Sequence, residues 1–258
     1  MKCILIIAGS DSFGGAGIQA DIKTVTSLGG HALTVLTVIT AQNSIGVTAI
    51  HRVPAYFIKK QLETVIDDIS PHAVKIGMLY SEAAVREVAR FVKKYRLPHV
   101  VVDPVLSAST GKVLLKSEAL SLLKEILLPL ASVVTPNLYE AEVLTGKKIE
   151  GLKEMAEAAR MIKAIGPDVV VTGGHLKGEC VDLLYDGKDN HQFSGSRIST
   201  RHTHGSGCVF STALATFLAK EKNIIEATKM AHDFTRRAII NGYSCGMGPG
   251  PVQVPLVD

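Results

Sequence analysis

Cys3-Ile4-Leu5-Ile6-Ile7-Ala8-Gly9-Ser10-Asp11-Ser12-Phe13-Gly14-Gly15-Ala16-Gly17-Ile18 is the stretch that decides the fold. Residues 3–8 are apolar on both parities of the strand period, as a strand covered on both faces of a parallel sheet requires. A glycine-rich turn follows. Ile18 then opens a stripe with Ile22, Val25 and Leu28 at helical spacing. The unit recurs along the chain. Apolar runs stand at 33–40, 73–76, 99–102, 132–135 and 168–171, with helical stripes at Val85, Val88, Val92 and at Phe210, Ala213, Leu214, Phe217, Leu218. This alternation implies right-handed βαβ units and an α/β fold, a three-layer α/β/α sandwich on a mostly parallel sheet. Residues 181–185 and 191–193, around Asp186-Gly187-Lys188-Asp189-Asn190, read instead as a hairpin. With no repeat and no Pro/Ser-rich linker, one domain over 1–258 is expected.

Bulk composition narrows the function. The chain has 258 residues, 47% apolar and 20% charged, and its net charge of +4 comes from 28 basic and 24 acidic residues. These are dispersed, so nucleic acid is not an expected partner. Cys3, Cys180, Cys208 and Cys245 lie far apart with no CxxC pair, which argues against a disulfide framework or zinc and for a reducing cytoplasm. The first apolar run is too short for a signal peptide. No run reaches the roughly 18–20 apolar residues that span a bilayer, so no membrane is expected.

In open parallel sheets ligands gather at the carboxyl ends of strands. Three segments there carry chemistry. The 9–17 turn does not match the G-x-G-x-x-G dinucleotide fingerprint, and Asp21, one turn into the helix, is placed to face the same crevice. Asp103-Pro104-Val105 ends one strand and Thr135-Pro136-Asn137-Leu138-Tyr139-Glu140 follows the next. Thr135 and Pro136 read as helix cap and first residue, with Asn137 and Glu140 on one face of the first turn. Such oxygen donors suit a hydrated Mg²⁺, and Glu140 reads equally well as a helix-dipole partner. Thr203-His204-Gly205-Ser206-Gly207-Cys208 runs straight into the Phe210 stripe, so successive amides at a helix start offer an anion site. Cys208 in that first turn reads as a dipole-favoured thiolate or as a buried structural cysteine.

Together these segments, with Ala41-Gln42-Asn43, Lys75-Ile76-Gly77-Met78-Leu79 and Gly173-Gly174-His175, resemble the hydroxymethylpyrimidine/phosphomethylpyrimidine kinase family in order and over nearly the whole chain. The resemblance implies a ribokinase-like fold, ATP and Mg²⁺ as cofactors, a homodimer, and two successive phosphoryl transfers to an aminopyrimidine. It implies a substrate pocket of Gly9, Ala16, Asp21, Gln42, Met78 and Val105, and a catalytic group of Gly205, Ser206, Gly207 and Cys208. It also implies nucleotide contacts at Asn137, Glu140 and Thr172, and metal contacts at Asp103 and Glu140. Many relatives carry lysine where this chain has Thr172, and Lys112 and Lys177 are candidate replacements for that charge. The rivals are a pyridoxal kinase of the same fold and a non-catalytic binding protein.

Overall fold

The opening apolar run becomes β1 (Cys3–Asp11), the glycine turn follows, and α1 (Gly17–Ser27) takes up the first stripe. The computed structural model describes residues 1–106, 117–176 and 180–255. In chain order there follow β2 (His31–Gln42), β3 (Val47–Arg52), α2 (Ala55–Ile66), β4 (Ala73–Ile76), α3 (Glu82–Tyr95), β5 (Val100–Val102), α4 (Ser117–Leu122), β6 (Val133–Val134), α5 (Leu138–Thr145) and α6 (Leu152–Lys163). After these come β7 (Asp168–Val171), β8 (Cys180–Tyr185), β9 (Asn190–Gly195), α7 (Ser206–Ala219) and α8 (Ile224–Ile240).

Among the described residues the strands form one sheet in the order β3-β2-β1-β4-β5-β6-β7-β8-β9. Pairing is parallel from β2 to β7 and antiparallel at both edges. Alternating side chains feed two cores. Leu5, Ile7, Val74, Ile76, Val100 and Val102 pack under α2, α3, α4, α5 and α6, whereas Ile4, Ile6, Ala73 and Val101 pack under α1, α7 and α8. That is why these runs are apolar on both parities, and it gives the expected three layers.

The expected hairpin is β8–β9. The edge strand β3 was not legible, since Val47-Thr48-Ala49-Ile50-His51-Arg52 has all six residues half-buried to exposed without a clean alternation. Two expectations are corrected in detail. Strand β5 begins at Val100 because His99 sits at φ 46°, outside the strand region. Ile22, read as part of the α1 stripe, is 39% exposed.

Candidate active site

Strand order reverses between β1 and β4, since the chain leaves β1 for β2 on one side and returns to β4 on the other. The crevice at such a reversal is where α/β sheets bind ligands, and both glycine loops open there. The Asp11 carboxylate organises the first loop: Phe13 N–H donates to Oδ1 at 2.9 Å, and Gly15 and Ala16 N–H donate to Oδ2 at 3.1 and 2.8 Å. His204 Nε2 lies 3.0 Å from the same oxygen. Burial alone would raise the Asp11 pKa, but the bonds from His204 and the loop amides outweigh it and hold the carboxyl below its ordinary value. Gly9 lies against Val38 and close to the Met78 methyl, so these two expected pocket residues are neighbours.

The second loop docks on the first. Gly205 caps α7 at φ 85°, and a Cβ there would collide with the Gly15 carbonyl oxygen. Only glycine meets both demands. The turn thereby sets Gly207 and Cys208 in the first turn of α7, beside the first loop. The Ser206 N–H is already given to the Thr203 carbonyl at 3.1 Å. Cys208 is half-buried and its sulfur accepts from Gly17 N–H. The thiolate expected from the helix terminus is not what the free chain holds. Burial pushes the Cys208 pKa up to about 12, Lys75 pulling it down while Asp21 and Asp103 add to the rise.

Asp21 was expected to face the crevice. It is fully buried and its carboxylate is engaged from within: Lys75 Nζ donates to Oδ1 and Oδ2 at 3.0 and 2.9 Å, and Thr212 Oγ1 donates to Oδ1 at 2.7 Å. Both of its oxygens are thus already bonded in the free chain. Burial works against the Lys75 ammonium, yet Asp21, then Cys208 and Asp103, hold its pKa above the ordinary value. Asp103, in turn, accepts from Ser211 Oγ at 3.0 Å through Oδ2.

The helix cap lies two residues beyond the expected one. Asn137 caps α5, its side chain accepting from Glu140 N–H at 3.0 Å while Glu140 Oε2 accepts from Asn137 N–H at 2.9 Å. This reciprocal box is read from N-x-x-E once Thr135 is set aside as cap. Glu140 is 4% exposed, and burial first, then the charge of Asp103, pushes its pKa up to about 8. Burial raises Asp103 likewise. Two buried carboxyls whose pKa values are both raised, Glu140 in part by the charge of Asp103, fit a divalent cation. Among the described residues no three or more His, Cys, Asp or Glu side chains gather as a metal cluster. A cation held by these two carboxylates alone would take its remaining ligands from water and phosphate oxygens.

Thr172 bridges to Asn137 across the strand ends, its N–H donating to the Pro136 carbonyl at 2.9 Å. The next loop is tied from behind. Gly173 N–H donates to Asp182 Oδ1 at 3.0 Å, and Arg197 Nη1 donates to the Gly174 carbonyl at 3.0 Å. Lys112 and Lys177 lie outside the described residues. A pocket of about 120 Å³ is lined by Gln42, Asn43, Ser44, Arg201, Thr203, His204 and Pro249. Of the expected substrate residues Gln42 alone reaches it; Val105 lines a hollow of about 10 Å³ with Gly77 and Leu79, and Ala16 and Met78 are half-buried nearby. Sequence reading assigned no role to Asp11, Lys75, His204 or Arg201. The available signal for Lys75 was a single charge inside an apolar strand.

Comparison with known proteins agrees with this geometry. Residues 11–253 match the family model described as phosphomethylpyrimidine kinase. The chain is 47% identical over 97% of its length to the thiamine biosynthesis bifunctional protein ThiED of Geobacter sulfurreducens, of which it spans 51%. It is 44% identical over 97% of its length to the hydroxymethylpyrimidine/phosphomethylpyrimidine kinase of Streptomyces coelicolor, of which it spans 93%. An ADP complex of Bacillus subtilis pyridoxal kinase superposes with a TM-score of 0.93 at 39% identity, covering 99% of this chain and 98% of that one. The ribokinase-like sandwich is thus shared along the whole chain. No helix among the described residues is long and apolar enough to cross a membrane.

Proposed function

The chain belongs to the phosphomethylpyrimidine kinase family, and from that premise we propose that it phosphorylates 4-amino-5-hydroxymethyl-2-methylpyrimidine from ATP, first to the monophosphate and then to the diphosphate, in thiamine biosynthesis. The observation that carries this reading is the docking of Gly205 on the Gly15 carbonyl. It sets the amide-rich start of α7 against the substrate-side loop, where an anion and an acceptor hydroxyl meet.

In this reading the pyrimidine lies between the first loop and Gln42, with Gly9, Ala16, Met78 and Val105 around it. The triphosphate lies toward Asn137, Glu140 and Thr172. Asp103 and Glu140 would hold Mg²⁺, which when bound neutralises the phosphate charge. The hydroxymethyl oxygen attacks the γ-phosphorus, the new O–P bond forming as the bond to the ADP oxygen breaks. The hydroxyl proton passes to Cys208 in its thiolate form, and the α7 amides stabilise the moving charge. The second transfer attacks with a phosphate oxygen that is already largely ionised and needs little help from a base. A homodimer working in the cytoplasm completes the proposal.

Turnover is read by a coupled ADP assay with MgATP and hydroxymethylpyrimidine, its monophosphate and pyridoxal side by side. Both pyrimidines should be turned over faster than pyridoxal. The opposite order would move the assignment to the pyridoxal kinases that the fold also matches.

A further inference from the structure

Lys75 is a charged residue in an otherwise apolar strand, and it is fully buried. Its ammonium lies 2.9 Å from Asp21 Oδ2 and 3.9 Å from Asp103 Oδ2. The backbone closes over it, since a Cβ on Gly77 would come within 3.0 Å of Nζ. Thr212 and Ser211, adjacent on α7, donate to the two carboxylates, Thr212 to Asp21 and Ser211 to Asp103 at 3.0 Å. One ammonium thus joins α1, the end of β4, the residue after β5 and the first turns of α7. Those are the segments that carry both glycine loops and the carboxylate assigned to the metal.

A buried ion pair is poor value as a stabiliser, because desolvation consumes its attraction and apolar replacements of similar volume are often neutral or better. Here Ile4, Ile6, Ala8 and Phe210 of the same layer are apolar, so such a replacement was open. The layout also has a direction. Asp21 takes the ammonium through both oxygens and holds it down, while Ser211 and Lys75 approach Asp103 on one oxygen, Oδ2.

We propose that Lys75 is a positioning residue for phosphoryl transfer, clamped by Asp21 so that it fixes Asp103 and the first turns of α7 in register with the crevice. This rests on the kinase reading above. Asp21 acts as its counter-ion and does not touch substrate.

The test removes the Lys75 and Asp21 charges together and leaves Asp103 to Ser211. In Lys75→Met/Asp21→Leu the melting temperature should stay within about 5 °C of the wild type. Turnover should fall about 100-fold, as for a group misplaced by about 1 Å, with KM for ATP and pyrimidine changed less than about threefold. A folded pair variant with wild-type kcat overturns the inference, as does one whose loss lies wholly in pyrimidine KM. If that pair does not fold, Lys75→Gln/Asp21→Asn reads the same quantities against the same outcomes. Ser211→Ala, a mild change, should lower kcat about tenfold by freeing Asp103, and unchanged kcat there counts against the inference. A wild-type enzyme with no MgATP-dependent turnover would overturn the kinase reading and this inference together. An active wild type with a fully active pair variant overturns the inference alone.

Discussion

The two faces of β4 carry different chemistry. Val74 and Ile76 point into a large cluster of apolar side chains. One residue along, Lys75 points the other way, into a layer where a buried ammonium, two carboxylates and two hydroxyls sit among Ile4, Ile6 and Phe210. Both faces exclude water, so burial does not distinguish them. The apolar face has only to pack, whereas the polar face lies beneath the crevice and holds its parts in place. The contrast separates what the fold needs from what the site needs.

The sharpest way to test that separation is at Cys208, on the polar side. Cys208→Ala should lower kcat for the first transfer by about 10²–10⁴, leave the second transfer much less affected, and shift the melting temperature little. Because the thiol pKa is pushed up to about 12, the thiolate fraction grows about tenfold per pH unit below that value. Log kcat of the wild type should therefore climb with pH from 6 to 9 without a plateau, and the alanine variant should lose the slope. A flat wild-type profile would remove Cys208 as the base.

Breaking the comparison from the apolar side should cost stability. Val74→Lys puts an ammonium one residue from Lys75 but into the apolar cluster of the opposite face. A loss of about 3–5 kcal/mol is expected from an unpaired buried charge, read by urea unfolding. A variant as stable as the wild type would show that the two faces tolerate charge alike.

The smallest effect should come at Glu140. A carboxyl whose folded pKa is about 8 against an ordinary 4.5 holds its proton more tightly in the folded state. That contribution is complete below about 4.5 and is lost as pH rises through 8. In chelator, Glu140→Gln keeps the helix cap and should melt about 5 °C above the wild type at pH 8.5, the gap closing toward pH 5. An equal melting temperature at both pH values would sink the account, and added Mg²⁺ should narrow the gap.

Much of the scaffold was legible because the deciding signals are local. Apolar runs on both parities gave the strands of the parallel sheet, the turn 186–190 gave the hairpin, and the Phe210 stripe gave α7. Edge strand β3 lacked such a signal, being half exposed. The site was legible in its segments but less so in its contacts. Asp21 and Lys75 are 54 residues apart and Asp21 and Thr212 are 191 apart, so nothing in the sequence near Asp21 shows that its carboxylate is already engaged. The protonation of Cys208 was hidden for a related reason. The helix start that favours thiolate is local and visible, whereas the burial and the neighbouring carboxylates that oppose it come from distant segments.

The meeting of Gly15 with Gly205, reinforced by the Asp11–His204 contact between residues 193 positions apart, bears on how the protein is made. The first loop leaves the ribosome with β1, yet its partner is synthesised only after eight further strands. Closing so long a loop carries an entropic cost that local contacts do not offset. Nascent chains arrested before α7 should contain folded βα units but no phosphate site. Catalytic competence would then be the last property to appear during synthesis and a stringent report of complete folding.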